Sequence, residues 1–90
     1  MEVQIGRITH YYSHLKVAVL ELYEGLKVGE TIHIRGHATD FTEALVSMEV
    51  DHNRVISVEP GANVAIRVNE PVHVNDVVLR VVEEAGLQTA

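Results

Sequence analysis

The sequence predicts an all-β domain closed into a small barrel, and three observations carry that prediction. Sixteen valines and six isoleucines supply most of the apolar bulk of a 90-residue chain with one phenylalanine and no tryptophan; branching at Cβ suits the pleated, half-buried surface of a strand. Apolar residues alternate with polar ones along most of the chain, without the three-or-four spacing that a helix requires. Turn residues interrupt the alternation every eight to twelve positions, which leaves six strands and the punctuation of a sandwich or barrel. Closure is favoured because an open sheet exposes edges, and the edge residues here are not guarded by lysine or proline.

Residues 3–12 open with β-formers, but Ile5 and Ile8 are an odd number of positions apart, so both reach one face only if the strand bulges at Gly6 or Arg7. Ser13 and His14 turn the chain. Residues 15–22 form a second strand with Val17, Val19 and Leu22 inward; a two-turn helix can be drawn over the same stretch, but its length and valines favour the strand, and the two strands make a hairpin. The segment 25–36, about which the rest is organised, follows. Gly25 and Gly29 permit a tight reversal, Leu26 and Val28 anchor it in the core, and residues 31–35 alternate, with Ile32 and Ile34 on one face and His33 and Arg35 on the other, until Gly36 ends the run.

Residues 37–40 are a polar connector. Residues 41–51 make the longest element: regular in its second half, where Val46, Met48 and Val50 alternate with Ser47, Glu49 and Asp51, and irregular over 41–45, where the strand bends or changes partner. Residues 52–59 carry Val55, Ile56 and Val58 at irregular spacing. Pro60 and Gly61 form a turn, Val64, Ile66 and Val68 alternate, Glu70 and Pro71 break the run, residues 74–76 turn again, and residues 77–82 form the last strand. One domain over residues 1–82 is the expectation for a chain too short to fill two cores, with residues 83–90, poor in apolar side chains, as a frayed tail.

Seven basic and thirteen acidic residues give a formal charge of −6, which discourages a sequence-blind grip on phosphate backbones unless the basic groups cluster. There is no cysteine, so disulfides and thiolate chemistry are excluded and stability rests on packing. No leader-like apolar segment opens the chain, and no apolar run approaches the roughly 20 residues of a membrane span. The expectation is a cytoplasmic protein without a membrane contact.

Taken in order, the turn Gly25-Leu26-Lys27-Val28-Gly29-Glu30, the strand ending at Gly36, the turn Pro60-Gly61-Ala62-Asn63, the strand over 64–68 and the closing Asn75-Asp76-Val77-Val78 resemble the second-domain β-barrel of the translational GTPases, that of elongation factor Tu. They are similar to the short translation elongation factor-like proteins above all, and to the C-terminal barrel of the collagenase-like peptidases. Thr39-Asp40-Phe41, Ser47-Met48 and Asp51-His52 look like the middle region of those relatives, and the likeness runs from Gly6 to Val81. The resemblance implies a closed six-stranded antiparallel barrel of Greek-key type. It carries no Gly-x-x-x-x-Gly-Lys-Ser/Thr loop, so nucleotide hydrolysis is not implied, and the peptidase portion is missing as well.

Six histidines raise the question of a metal. His10 and His14, like His33 and His37, are four apart, but on a strand that spacing separates side chains by roughly 13 Å, too far for one ion. Solvent-facing histidines are expected, convergence of distant pairs being the alternative, and neither a metal nor another cofactor is predicted. Thr39, Asp40 and Phe41 form either a recognition loop in which Phe41 stacks on a base or a partner's side chain, or a turn capped by Asp40 with Phe41 buried as a plug. A lone phenylalanine in a valine-rich protein favours the plug. Arg7, Arg35, Arg67 and Arg80 fall on outward strand positions, with Lys16 and Arg54 nearby, and give either a basic stripe for phosphates or an ordinary solvated surface. Tyr11, Tyr12 and Tyr23 add stacking surface or cover a barrel end.

The candidate binding surface is therefore Arg35, Thr39, Asp40, Phe41, His52, Arg54 and Arg67. No Gly-x-Ser-x-Gly, cysteine nucleophile or His-Glu-x-x-His is present, so neither catalysis nor a small-molecule substrate is expected. Two functions follow: a translation-factor-like module that contacts transfer or ribosomal RNA, or a protein-interaction subunit that acts as the detached barrel of a peptidase-like partner.

Overall fold

The computed structural model describes residues 2–82, and these form ten β-strands and no helix. The strands are β1 (Glu2–Tyr12), β2 (Val17–Leu22), β3 (Leu26–Lys27), β4 (Thr31–Gly36), β5 (Thr39–Ala44), β6 (Met48–Val50), β7 (Asn53–Val55), β8 (Ser57–Val58), β9 (Asn63–Arg67) and β10 (Val77–Val81). Eight of them make one antiparallel sheet in the order β5-β4-β10-β1-β2-β9-β6-β7, and β3 pairs with β8 in a separate two-stranded ribbon. Residues 83–90, expected as a frayed tail, lie outside the described residues.

The hairpin of β1 and β2 forms as expected, with Lys16 in the left-handed region at φ 56°. Pairing of β1 with β10 slips between Gln4 and Gly6, one residue before the expected bulge. The slip puts Ile5 and Ile8 in the core together, each 0% exposed. Gly6 has a separate reason to be glycine: a Cβ there would stand 2.4 Å from the carbonyl oxygen of Glu21, so β1 and β2 approach this closely only without a side chain. On β2, Leu22 faces the core as expected, but Val17 and Val19 do not: Ala18 and Leu20 take the inward positions while Val17 and Val19 are half-buried on the outer face. A run that is apolar on both faces carries no phase of its own; partner strands impose it.

Two further expectations are corrected. The single strand over 41–51 is two: β5 pairs with β4 and β6 pairs with β7 and β9, with an unpaired link at 45–47. Residues 45–47 carry the chain from the β5 edge of the main sheet to β6, beside the opposite edge, and Val46, placed inward by alternation, is 73% exposed. The barrel is also not closed by a continuous ladder, since β5 and β7 are the two sheet edges among the described residues.

Backbone bonds of residues 28–30 link these edges instead. Val28 N–H donates to the Ile56 carbonyl at 2.9 Å, Gly29 N–H to Leu45 at 2.8 Å, and Leu45 N–H to Glu30 at 2.8 Å. Gly29, at φ 101°, supplies the reversal that aims these groups both ways. Glu30 Oε2 accepts the Lys27 N–H at 2.7 Å, while its other oxygen lies 2.9 Å from Arg80 Nε. The Val-Gly-acid pattern thus has a physical purpose: it makes the seam of the curled sheet.

Inside lies one apolar cluster that includes Ile5, Leu20, Ile34, Leu45, Ile66 and Val78, all at or below 1% exposure. Burying each such side chain contributes about 1.5–3 kcal/mol. At the end opposite the seam the backbone of β4 passes Asp76 so closely that a Cβ on Gly36 would overlap its carboxylate. A side chain at position 36 would therefore have to displace the Asp76 carboxylate.

Candidate functional site

Three of the seven predicted surface residues gather on the outer face of β2, β9, β6 and β7. Arg54 on β7 and Arg67 on β9 line a groove of about 310 Å³ together with Leu15, Val17, Glu49 and Ala65. Val17 and Ala65 are outer-face residues, and they make an apolar floor between charged walls. Glu49 is the cross-strand partner of Arg54, yet among the described residues neither Arg54 nor Arg67 has a carboxylate within ion-pair distance. His52 lies alongside, in a depression that shares Glu49 and Ala65. It sits with Asp51 in the two-residue turn between β6 and β7, both at positive φ (51° and 66°), the geometry that matches the twist of a tight hairpin.

Arg35 and Asp40 belong to another region. They face each other across β4 and β5, and four strand spacings separate β4 from β9, roughly 19 Å along the sheet at about 4.8 Å per step. Arg35 and Arg67 therefore form no common stripe. Two arginines of the predicted stripe are also occupied. Arg7 Nε donates to Glu21 at 3.0 Å and its Nη1 to Asn75 Oδ1 at 2.9 Å. Arg80, expected outward, lies on the same side of β10 as buried Val78 and reaches the seam, where it donates to the Gly25 carbonyl. Its Nε is near enough to Glu30 for an ion pair but not aligned for a hydrogen bond.

Asp40 has a partner that sequence reasoning missed. His33 Nε2 lies 2.5 Å from Asp40 Oδ1, and its Nδ1 lies 2.6 Å from Glu2 Oε2. The Asp40 hydrogen bond, supported by Glu2 and opposed by burial, raises the imidazole above its ordinary value; the imidazolium then donates from both nitrogens. The Asp40 half was accessible in principle, since residues seven apart across a tight hairpin share a face. Glu2 was not, because it reaches His33 across β10.

Thr39 and Phe41 face the interior, 4% and 8% exposed; Phe41 is the plug, and neither is part of an outer binding face. Thr39 Oγ1 lies 3.0 Å from His73 Nδ1, and Asp76 Oδ2 lies 3.7 Å from the same nitrogen while accepting the His73 backbone N–H at 2.8 Å. Hydroxyl and carboxylate both meet Nδ1, whereas a nucleophile relay needs them on opposite ring nitrogens. This cluster fixes a loop. Glu43, buried on β5, accepts the Asn69 N–H at 2.8 Å, and burial raises its carboxyl above the usual range.

Among the described residues no three His, Asp or Glu side chains converge to hold a metal ion. His10 is stacked on Tyr12, with ring centroids 6.3 Å apart. No helix long and apolar enough to cross a membrane occurs among the described residues.

No family model matches the chain. It is 36% identical over 76 residues to a Methanocaldococcus jannaschii protein described as an uncharacterized protease. That match takes in 83% of the chain and 19% of the other protein, so the chain spans about a fifth of the length of the curated relative it matches. Among solved structures, the C-terminal domain of a Geobacillus thermoleovorans protein described as a U32 peptidase superposes with a TM-score of 0.82 at 15% identity, covering 88% of this chain and 92% of that domain. Its selenomethionine variant gives 0.80 at 15% identity, with 84% and 96% covered. Of the two families whose barrels the sequence resembles, these comparisons fall on the peptidase side, and the fold of this chain is that of a U32 peptidase C-terminal domain.

Proposed function

We propose that this chain is a non-catalytic interaction domain that docks onto a peptidase-like catalytic unit, supplying to it the β-domain that its relatives carry fused. The observation that carries the reading is the extent of the likeness: four-fifths of this chain matches one-fifth of a protease-described relative. The chemistry agrees, for the cluster that most resembles a catalytic triad, Thr39, His73 and Asp76, places both partners on one ring nitrogen.

The test is direct binding. The Methanocaldococcus jannaschii relative is produced without its matched segment and titrated calorimetrically with this chain. A complex in the micromolar range or tighter is expected, and no cleavage of an unstructured protein substrate by this chain alone; absence of heat at protein concentrations near 100 μM sinks the reading.

A second reading, contact with transfer or ribosomal RNA, has one observation in its favour, the two guanidiniums of the Arg54–Arg67 groove, which have no ion-pair partner among the described residues. Two phosphate contacts give a slope of log affinity against log salt of only about −1.4 for a single strand. A steeper measured slope would mean that basic groups beyond these two take part.

A further inference from the structure

The ribbon of β3 and β8 carries apolar side chains beyond the edge of the core. Leu26 pairs with Val58 and Lys27 with Ser57, and the Val28 N–H bond to the Ile56 carbonyl continues the antiparallel pairing one step further. Side chains two apart on a strand share a face. Val28 and Ile56 therefore lie on the core-facing side of the ribbon, in the same row as Leu26, which is 1% exposed, but past the point where the core ends: Ile56 is 77% exposed and Val28 36%. Val46, 73% exposed, follows directly on Leu45, whose backbone is bonded to Gly29 and Glu30 beside them. Ile56 and Val46 are the two most exposed large apolar side chains among the described residues.

Exposed apolar side chains that lie together, rather than scattered singly, mark interaction surfaces. We infer that Val28, Val46 and Ile56 form the docking face for the apolar surface of the peptidase-like catalytic unit. This rests on the proposed function above, and two features select that occupant. In the protease-described relative, four-fifths of the polypeptide lies outside the matched segment, so the domain there has a large neighbour in its own chain. In this chain the first and last described strands meet at the same end as the patch: Glu2 is in register with Val81, and the adjacent Arg80 is tied to Gly25 and Glu30. A body joined to either strand end is thereby brought beside the seam.

The experiment uses the truncated relative as the probe, with the double variant Val46→Asp/Ile56→Asp and the control Arg54→Glu/Arg67→Glu in the full chain. All positions are solvent-facing, and unchanged melting temperatures establish that the variants fold. The expected result is a loss of affinity of about 100-fold or more for the double variant, since it would bury two carboxylates without partners in an apolar contact, and a change below about threefold for the control. Wild-type binding that survives the double variant overturns the inference and leaves the proposed function standing. Failure of the wild type to bind removes both. Self-association of the wild type that Val46→Asp/Ile56→Asp abolishes, without binding to the probe, assigns the face to a second copy of this chain and overturns the inference in that form.

Discussion

The wall formed by β10, β1, β2 and β9 and the seam formed by β3, β8 and residues 28–30 enclose the same core by different means. In the wall, every strand has a ladder neighbour on each side, and inward side chains alternate regularly on β9, as with Val64 and Ile66. In the seam, three backbone hydrogen bonds and a two-pair ribbon hold two sheet edges together. A ladder fixes its residues cooperatively, whereas isolated bonds open one at a time. The wall should therefore set global stability and the seam should set local opening and availability to a partner.

The largest expected effect lies in the wall. Ile66→Ala removes a side chain that is 1% exposed and is expected to cost about 2–5 kcal/mol in urea unfolding. A cost below about 1 kcal/mol would mean that the wall can collapse around the gap. Next comes Gly6→Ala, whose methyl group meets the Glu21 carbonyl. A loss of about 1–3 kcal/mol is expected from the forced separation of β1 and β2, and nuclear magnetic resonance should place the largest shift changes on those two strands. Between regions, native-state hydrogen exchange draws the contrast directly. The amides of Val28, Gly29 and Leu45 should exchange through local opening, with at least about 1 kcal/mol less protection than the ladder amides of Leu20. Equal protection would show that seam and wall unfold as one.

Smaller effects come from charge. His33 has a raised folded pKa, so its contribution is full below the ordinary value of 6.5 and is lost as pH rises through the higher folded value. His33→Gln should remove that loss from the pH–stability curve, an effect of at most about 1 kcal/mol for partners open to water. Glu43 is also raised, but as an acid it costs stability when ionised. Glu43→Gln should leave stability unchanged below about pH 4.5 and raise it by roughly 0.5–1 kcal/mol at pH 7, because the buried charge is gone and the acceptor for Asn69 is kept.

The same contrast explains what the sequence made legible. Where alternation has one polar face, as over residues 31–35, strand, phase and burial were all readable, and Ile32 and Ile34 are both fully buried. Where both faces are apolar, as in β2, the strand was readable and its phase was not. The Val-Gly-Glu turn marked the seam, but nothing local showed that it would join two edges, because its partners Leu45 and Ile56 are set by how the whole sheet curls. Of the site, the Arg54–Arg67 groove was half legible: the arginines were named, but their separation from Arg35 is a property of strand order. The exposed Val46 was misplaced because a regular alternation continues through the link at 45–47, where no neighbouring strand is present to give it meaning.

The pairing of Glu2 with Val81 has a consequence for how such a domain travels between proteins. Strand ends that finish side by side let the whole unit be spliced into a host polypeptide, or closed on itself and reopened at Pro60 and Gly61, with no strand interrupted. A circularly permuted version with its new start at Gly61 should retain the native near-ultraviolet spectrum, which makes this fold a portable cassette whose position along a gene matters less than the surface it brings.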